Sequence, residues 1–446
     1  MNGGDTPACV YLGSPDRKWP VFKDVHPPHE LDFFLDSGVD ISRSFWDRKN
    51  LICHLDIEYV NFDFPHESYL NPERSLRMQV PVTRAAEKVF ETLNIQPLHL
   101  ISGRGHHYVW QIPRRSKLCY HLSRYGRCNQ TLLGRYRNTE IPFAPRLPRS
   151  LGFAFAGLGR ILEYLALMIQ EAAAPDSDVP VTLTALETGP SQRGREIVSI
   201  DISEYGDPLH TRVIRVPFTA YMKPAIRDFG FNHSDDSDSG YIVVIPDSFP
   251  SIDQAIACMQ SPQKIVKLAE KREQTEIPEQ TQGTAMLLGA YQKSCLRTVH
   301  EEFYRKKQHP PGKWPDTYDR FCEGELPPCI EHILQEPNDV LMKPAAIRMV
   351  VIALLSLDWH PRHIAGLIRS RYERDFNWGD EWLNYDAATR AEFYVRIFYS
   401  AFAAGFDDLL DFNCVSIKER GYCVCEDGEC GIENCRNQLL KRMIHG

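Results

Sequence analysis

Leu51-Ile52-Cys53-His54-Leu55-Asp56-Ile57-Glu58-Tyr59, followed about forty residues later by Ser102-Gly103-Arg104-Gly105-His106-His107-Tyr108-Val109-Trp110, decides how this chain is read. The first piece is an apolar run carrying two acids two positions apart. In a strand, side chains at i and i+2 share a face, so Asp56 and Glu58 stand together while Leu55 and Ile57 turn to a core. Paired carboxylates repel, and a hard divalent cation such as Mg2+ relieves that repulsion. The competing reading is two acids on the wetted face of an edge strand. The second piece is a Gly-broken polar turn that runs into an aromatic strand.

Working outward, Pro81–Leu93 repeats Val82, Ala86, Val89, Phe90 and Leu93 at helical spacing. Leu98–Ser102 and His107–Ile112 read as strands joined by the Gly103/Gly105 turn, which gives an α+β core. Residues 1–50 are expected to be an irregular lead-in. Phe153–Ala173 reads as a long helix, and Glu196–Ser203, Arg212–Pro217 and Tyr241–Ile245 read as strands. After Ile252 strand signals fade, Lys264–Gly283 is charged and Gln-rich, and helical patterns run to a cysteine-rich tail. The expected division is a catalytic domain over 1–262, a helical linker region over 263–320 and a helical domain over 321–446.

Asp201 lies near the end of the first strand of that later group and is followed by Arg212, Arg215 and Lys223. Three carboxylates for two divalent cations, with cations beside them for a triphosphate, are the parts nucleotidyl transfer needs. Ser102, Arg104 and His107 then sit on the turn beside the triphosphate, where backbone N–H groups approach phosphate closely.

The net charge of −8 argues against a nucleic-acid partner, but charge is uneven. Residues 101–150 hold ten Lys/Arg and one acid, interleaved with Tyr120, Tyr125, Tyr136 and Phe143. Local field decides which polyanion is drawn in, and phosphate contacts with base stacking suit single-stranded template. Cys119, His121 and Cys128 suggest a zinc knuckle that lacks a fourth ligand. The chain shows no charged-then-apolar leader, and its longest apolar run, near Met349–Leu357, falls short of a membrane span. Thirteen cysteines without a secretion signal point to thiols or metal ligands in a reducing compartment.

The series of Asp-x-Glu strand, Ser-Gly-x-Gly-x-His-x-x-Trp and hydrophobic-Asp with a downstream Pro-Phe-Thr…Lys resembles the archaeo-eukaryotic primase superfamily over roughly residues 45–225. The resemblance implies a primase–polymerase core with an RRM-like sheet and helices. It also implies Asp56, Glu58 and Asp201 as ligands of two Mg2+ or Mn2+ ions, with Ser102, Arg104, His107, Arg215 and Lys223 around the nucleotide. The second acid is Glu where the family has Asp, and the turn reads Ser-Gly-Arg-Gly-His-His, so His106 and His107 compete for one role. Spacing to Trp110 favours His107.

The tail holds Cys414, Cys423, Cys425, Cys430 and Cys435 at gaps of 8, 1, 4 and 4 residues. Closely spaced thiolates suit zinc, though these gaps fit a zinc site imperfectly. Leu326-Pro327-Pro328-Cys329 followed by helices, then Cys414, Gly421-Tyr422-Cys423 and Cys430, resembles the primase large subunit's C-terminal domain. That resemblance implies a [4Fe–4S] cluster on Cys329, Cys414, Cys423 and Cys430, with Cys435 the rival for the fourth place and zinc the alternative. Cys53, Cys258 and Cys295 are expected to be free buried thiols. Together these readings lead to a single-chain DNA primase–polymerase, cytoplasmic and encoded by a prokaryote or mobile element. It would work on single-stranded DNA with NTPs or dNTPs, alongside a helicase or other replication proteins. The alternatives are a gap-filling polymerase that cannot start chains and a non-catalytic metal-stabilised nucleic-acid-binding protein.

Overall fold

A computed structural model describes residues 9–13, 25–36, 40–138, 146–189, 195–221, 242–247, 249–271, 275–320, 325–338, 340–379, 382, 385–407, 409–425 and 430–445. The chain is α+β and separates into two compact units, Met1–Thr182 with Val198–Leu288, and Leu183–Ile197 with Gly289–Gly446. The division falls at Leu288, inside the stretch expected to be a linker. Residues as far as 280 belong structurally to the first unit, because Gln111 N donates to Pro278 O at 2.9 Å and Gln280 N donates to Gln111 O at 3.0 Å.

The strands are β1 (Cys9–Gly13), β2 (Val25–His26), β3 (Ile41–Asp47), β4 (Asn50–Asn61), β5 (Leu98–Ile101), β6 (Gly105–Pro113), β7 (Val181–Thr182), β8 (Glu196–Asp201), β9 (Val213–Arg215) and β10 (Ile245–Pro246). One mixed sheet runs β10-β5-β6-β4-β8-β7, with β5–β6, β6–β4 and β5–β10 antiparallel and β7–β8 parallel. β4 is therefore interior, and the edge-strand reading of its acids is excluded.

Alternation along β4 is plain. Leu55, Ile57 and Tyr59 are buried. They share a face with Tyr108 and Trp110 of β6, where Phe90 of α3 (Pro72–Thr92, which follows the short α1, Leu31–Asp36, and α2, Glu67–Leu70) packs at ring distances of 5.1 and 5.7 Å. The helix α3 runs Pro72–Thr92, not from Pro81. Asn71 caps it by accepting from Arg74 N at 3.2 Å, and Pro72 takes the first turn, where a missing N–H costs nothing. Pro81 sits inside the helix, a position where proline removes a backbone hydrogen bond.

The described parts of residues 1–50 are more regular than the expected irregular lead-in. β1, β2 and β3 join β9 in a second sheet, ordered β2-β1-β3-β9. It brings Phe45 edge-on to His54 at 5.3 Å, on the acid face of β4. The basic stretch folds as α4 (Lys117–Tyr125) and α5 (Gln130–Arg137). The next helix, α6 (Arg149–Ala173), is long and apolar enough to cross a membrane by composition, whereas the sequence reading placed the longest apolar run near Met349–Leu357 and expected none of spanning length. It is a core helix here, with 78% of that apolar window buried.

The second unit is helical. Its helices include Cys295–Arg305, Pro328–Gln335, Pro344–Ser356, Pro361–Tyr372, Ala387–Ala403, Cys414–Glu419 and Ile432–His445. Pro344–Ser356 is buried nearly throughout, and its Arg348 binds Asp407 at 2.6 Å and Asp411 at 2.9 Å. Arg420 also reaches Asp411, at 3.2 Å. Buried charges persist only when paired and hydrogen-bonded, so this network fixes the chain entering Cys414.

Candidate functional site

Cross-strand register builds the acid face. Asp56 stands directly opposite His107, and Glu58 opposite Gly105. Directly opposed residues of an antiparallel pair share a face, so His54, Asp56, Glu58 and His107 converge. Gly105 is required here, because a Cβ would collide with the carbonyl of Ile57.

β8 lies on the other side of β4 and ends at Asp201. The Asp201 carboxylate accepts from Ser203 N at 2.8 Å, an Asx-type turn that leads into a short 3-10 helix, Ser203–Gly206. That turn returns Glu204 and Tyr205 to β4. Glu204 Oε1 lies 2.9 Å from His54 Nδ1, and the Tyr205 hydroxyl accepts from His54 N and donates to His54 O, each at 3.0 Å.

The acids are largely out of water, with side chains 16% exposed at Asp56 and 21% at Glu58. Burial, then Glu58, Asp201 and Glu204, drive the Asp56 carboxyl well above the ordinary aspartate range. Burial and Glu204 push Asp201 up to about 6. Among the described residues Asp56 Oδ1 accepts no hydrogen bond, although His107 Nδ1 is 3.2 Å away, because that nitrogen is aimed at His54 Nε2 at 3.0 Å. Mutually repelling carboxylates with an orphaned buried oxygen fit a divalent cation.

Positive charge flanks them. Arg104 pairs with Glu58 at 3.0 Å, and Glu58, Tyr69, Tyr221 and Asp56 outweigh the burial that opposes its charge. Arg215, on β9, lies 3.2 Å from Asp40 and stacks over Tyr221 at 4.2 Å. Arg212 is held by Asp207. Ser102 is turned inward, its hydroxyl donating to Gly105 O at 3.2 Å, so it shapes the turn. Lys223 lies outside the described residues.

The two histidines of the turn separate. His107 faces the acids, whereas His106 faces the other side of the sheet, 2.9 Å from His99 Nε2. Burial lowers both His99 and His106 to about 3, as for core histidines. Sequence reasoning missed His54 and Glu204. His54 could have been found by the same two-residue spacing that paired Asp56 with Glu58, but nothing near Asp201 singles out Glu204.

Two of the expected zinc-knuckle ligands face apart. Cys119 points into the core and His121 outward from α4, as positions two apart on a helix must. Lys117, Tyr120, His121 and Arg124 instead make one exposed face of α4, with Tyr120 63% exposed. Tyr136 is buried and accepts from Leu209 N at 2.9 Å, so it offers no stacking surface, and Phe143 lies outside the described residues.

In the second unit, Cys414 Sγ and Cys430 Sγ lie 3.0 Å apart. Burial and then Cys430 push the Cys414 thiol up to about 12. Burial, followed by Cys430, Cys423 and Cys425, raises Cys329 further. Five thiols therefore gather, including Cys425, which the spacing left out. Cys435 is buried on Ile432–His445. An all-thiol donor set suits zinc or an iron–sulfur cluster. Among the described residues no three His, Cys, Asp or Glu side chains are already disposed around a single ion. Cys53 and Cys258 are buried, but Cys295 is exposed at the first position of its helix. No family model, curated protein or solved structure matches the chain.

Proposed function

We propose that the first unit is a template-directed nucleotidyltransferase, a DNA primase–polymerase of the archaeo-eukaryotic primase type. The observation that supports this reading is the convergence of Asp56, Glu58 and Asp201, from two adjacent strands, where burial and then neighbouring carboxylates raise the proton affinity of Asp56 and Asp201. Sites that hold protons against repulsion hold divalent cations for the same electrostatic reason. Two Mg2+ or Mn2+ ions bound there would activate an attacking sugar hydroxyl and neutralise the leaving pyrophosphate.

The chain's own side chains supply the rest. Arg104 and Arg215 keep permanent positive charge beside the acids, where a triphosphate needs it, and Lys223 belongs to the same set. The Lys117–Tyr120–His121–Arg124 face joins cations to an exposed ring, which suits single-stranded template held without sequence preference. The gathered thiols support a cluster or zinc site in the second unit, on Cys329, Cys414, Cys423 and Cys430 with Cys425 beside them.

Primer synthesis on single-stranded DNA with ATP, dNTPs and Mg2+ or Mn2+ tests the reading. Asp56→Ala with Glu58→Ala should reduce synthesis by roughly a thousandfold or more, the several kcal/mol a metal pair supplies, while template binding persists. Extension of a supplied primer without new starts would favour the gap-filling alternative. Template binding with no synthesis under any metal would favour the non-catalytic one.

A further inference from the structure

Two helices of the first unit that take no part in nucleotidyl transfer face each other across an uncovered groove. Ile252–Met259 and Pro262–Lys271 are joined by the short turn Gln260–Ser261. Ser251 caps the first by accepting from Gln254 N at 3.4 Å, and Ser261 caps the second by accepting from Lys264 N at 3.4 Å. The first helix is anchored, since Ala255, Cys258 and Met259 are buried and Met259 O accepts from Val243 N at 3.2 Å. The second is held less firmly. Ile265 is its one buried residue, and Leu268 is only half-buried.

The groove between them measures about 460 Å3, within the roughly 300–1,000 Å3 of ligand sites. Its floor is apolar, formed by Phe249, Ala257, Cys258 and Leu268. One rim carries Lys264, Lys267 and Lys271. At i, i+3 and i+7 of a helix these share one stripe, about 10 Å long at roughly 1.5 Å per residue. All three are exposed, and none has an ion-pair partner among the described residues. Asp253 also lines the groove, but Arg77 neutralises it at 2.6 Å. The groove is therefore apolar at its floor and positive along one side.

That pairing selects its occupant. A row of unpaired cations favours an acidic partner by charge complementarity. The floor is recessed between helices, so it receives an apolar side chain, whereas a lipid-binding face presents apolar groups outward. Single-stranded nucleic acid is met by exposed stacking rings, and the ring here, Phe249, is half-buried. We propose that this groove docks an acidic peptide segment of a partner protein, which seats a large apolar side chain on the floor and lays its carboxylates along the three lysines. This docking goes beyond the nucleotidyl-transfer reading and does not depend on it.

The probe is a fluorescein-labelled peptide of aspartates and glutamates around one phenylalanine and one leucine, titrated by anisotropy against the full chain. It should bind saturably and slow hydrogen exchange over residues 252–271. The same peptide with serine in place of its two apolar residues should bind at least tenfold more weakly. Lys267→Glu with Lys271→Glu, both on the exposed rim, should also weaken binding at least tenfold while leaving the Tm unchanged. No binding, equal binding of the serine peptide, indifference to the charge reversal or protection elsewhere in the chain overturns the proposal. So does a single-stranded oligonucleotide, an anionic phospholipid vesicle or a second copy of the chain that needs these lysines while the peptide does not bind.

Discussion

At the scale of single residues, Gly105 and Asp56 carry different burdens. Gly105 is what allows β6 to approach β4 closely enough to set His107 opposite Asp56, since any Cβ there strikes the Ile57 carbonyl. Gly105→Ala should therefore cost about 2 kcal/mol or more in urea unfolding. Gly134, within α5, has nothing near its missing Cβ, so Gly134→Ala should be neutral or stabilise by about 0.5–1 kcal/mol. Equal effects at the two positions would contradict the close-approach account. Asp56 was legible from sequence because a two-residue spacing is geometry that a strand enforces. Glu204 was not, because its approach to His54 depends on the Asx turn after Asp201, where a local bond decides the direction of the chain.

At the scale of elements, β4 and β8 hold like charges together at a cost to the fold. Asp201 binds its proton up to about 6 in the folded protein, against 3.8 for an ordinary aspartate. The folded state therefore holds the proton over a range where the unfolded chain has released it. Stability contributed by this group falls as pH rises from about 3.8 to about 6, and the penalty is complete above that window. Asp201→Asn keeps an oxygen for Ser203 N and removes the charge. In EDTA its Tm should exceed that of the wild type at pH 7.5, and the gap should close below pH 4. Added Mn2+ should raise the wild-type Tm and leave the variant's nearly unmoved. A variant no more stable at pH 7.5 would contradict burial of this carboxylate beside like charge as a cost to the fold. Strands β4, β5, β6 and β8 of the six-stranded sheet followed from period-two alternation and Gly-rich turns, whereas the two-residue β7 did not. Of the second sheet only β9 was read, within Arg212–Pro217, whereas β2 is two residues long and takes its conformation from pairing, not from pattern. The first half of helix α3 escaped as well, because Pro81 is usually a start signal and here lies inside a helix that Asn71 begins.

At the scale of the molecule, the chain is an α+β unit and a helical unit, each with its own chemistry-bearing cluster. The thiols were visible as a count and the Cys329 partner as a resemblance. Cys425 became a candidate only once folding brought it to Cys423 and Cys430. Anaerobically purified protein should contain about four iron and four sulfide per chain, and Cys329→Ser should lose them. One zinc and no iron would replace the cluster with a structural zinc site. The claim on which the whole account turns is that an acid at 201 works with two acids at 56 and 58, far away in sequence. Template-directed primer synthesis by Asp201→Asn measures this directly. The account predicts a loss as deep as that of Asp56→Ala with Glu58→Ala, with the fold and template binding intact. Synthesis at the wild-type rate would contradict it.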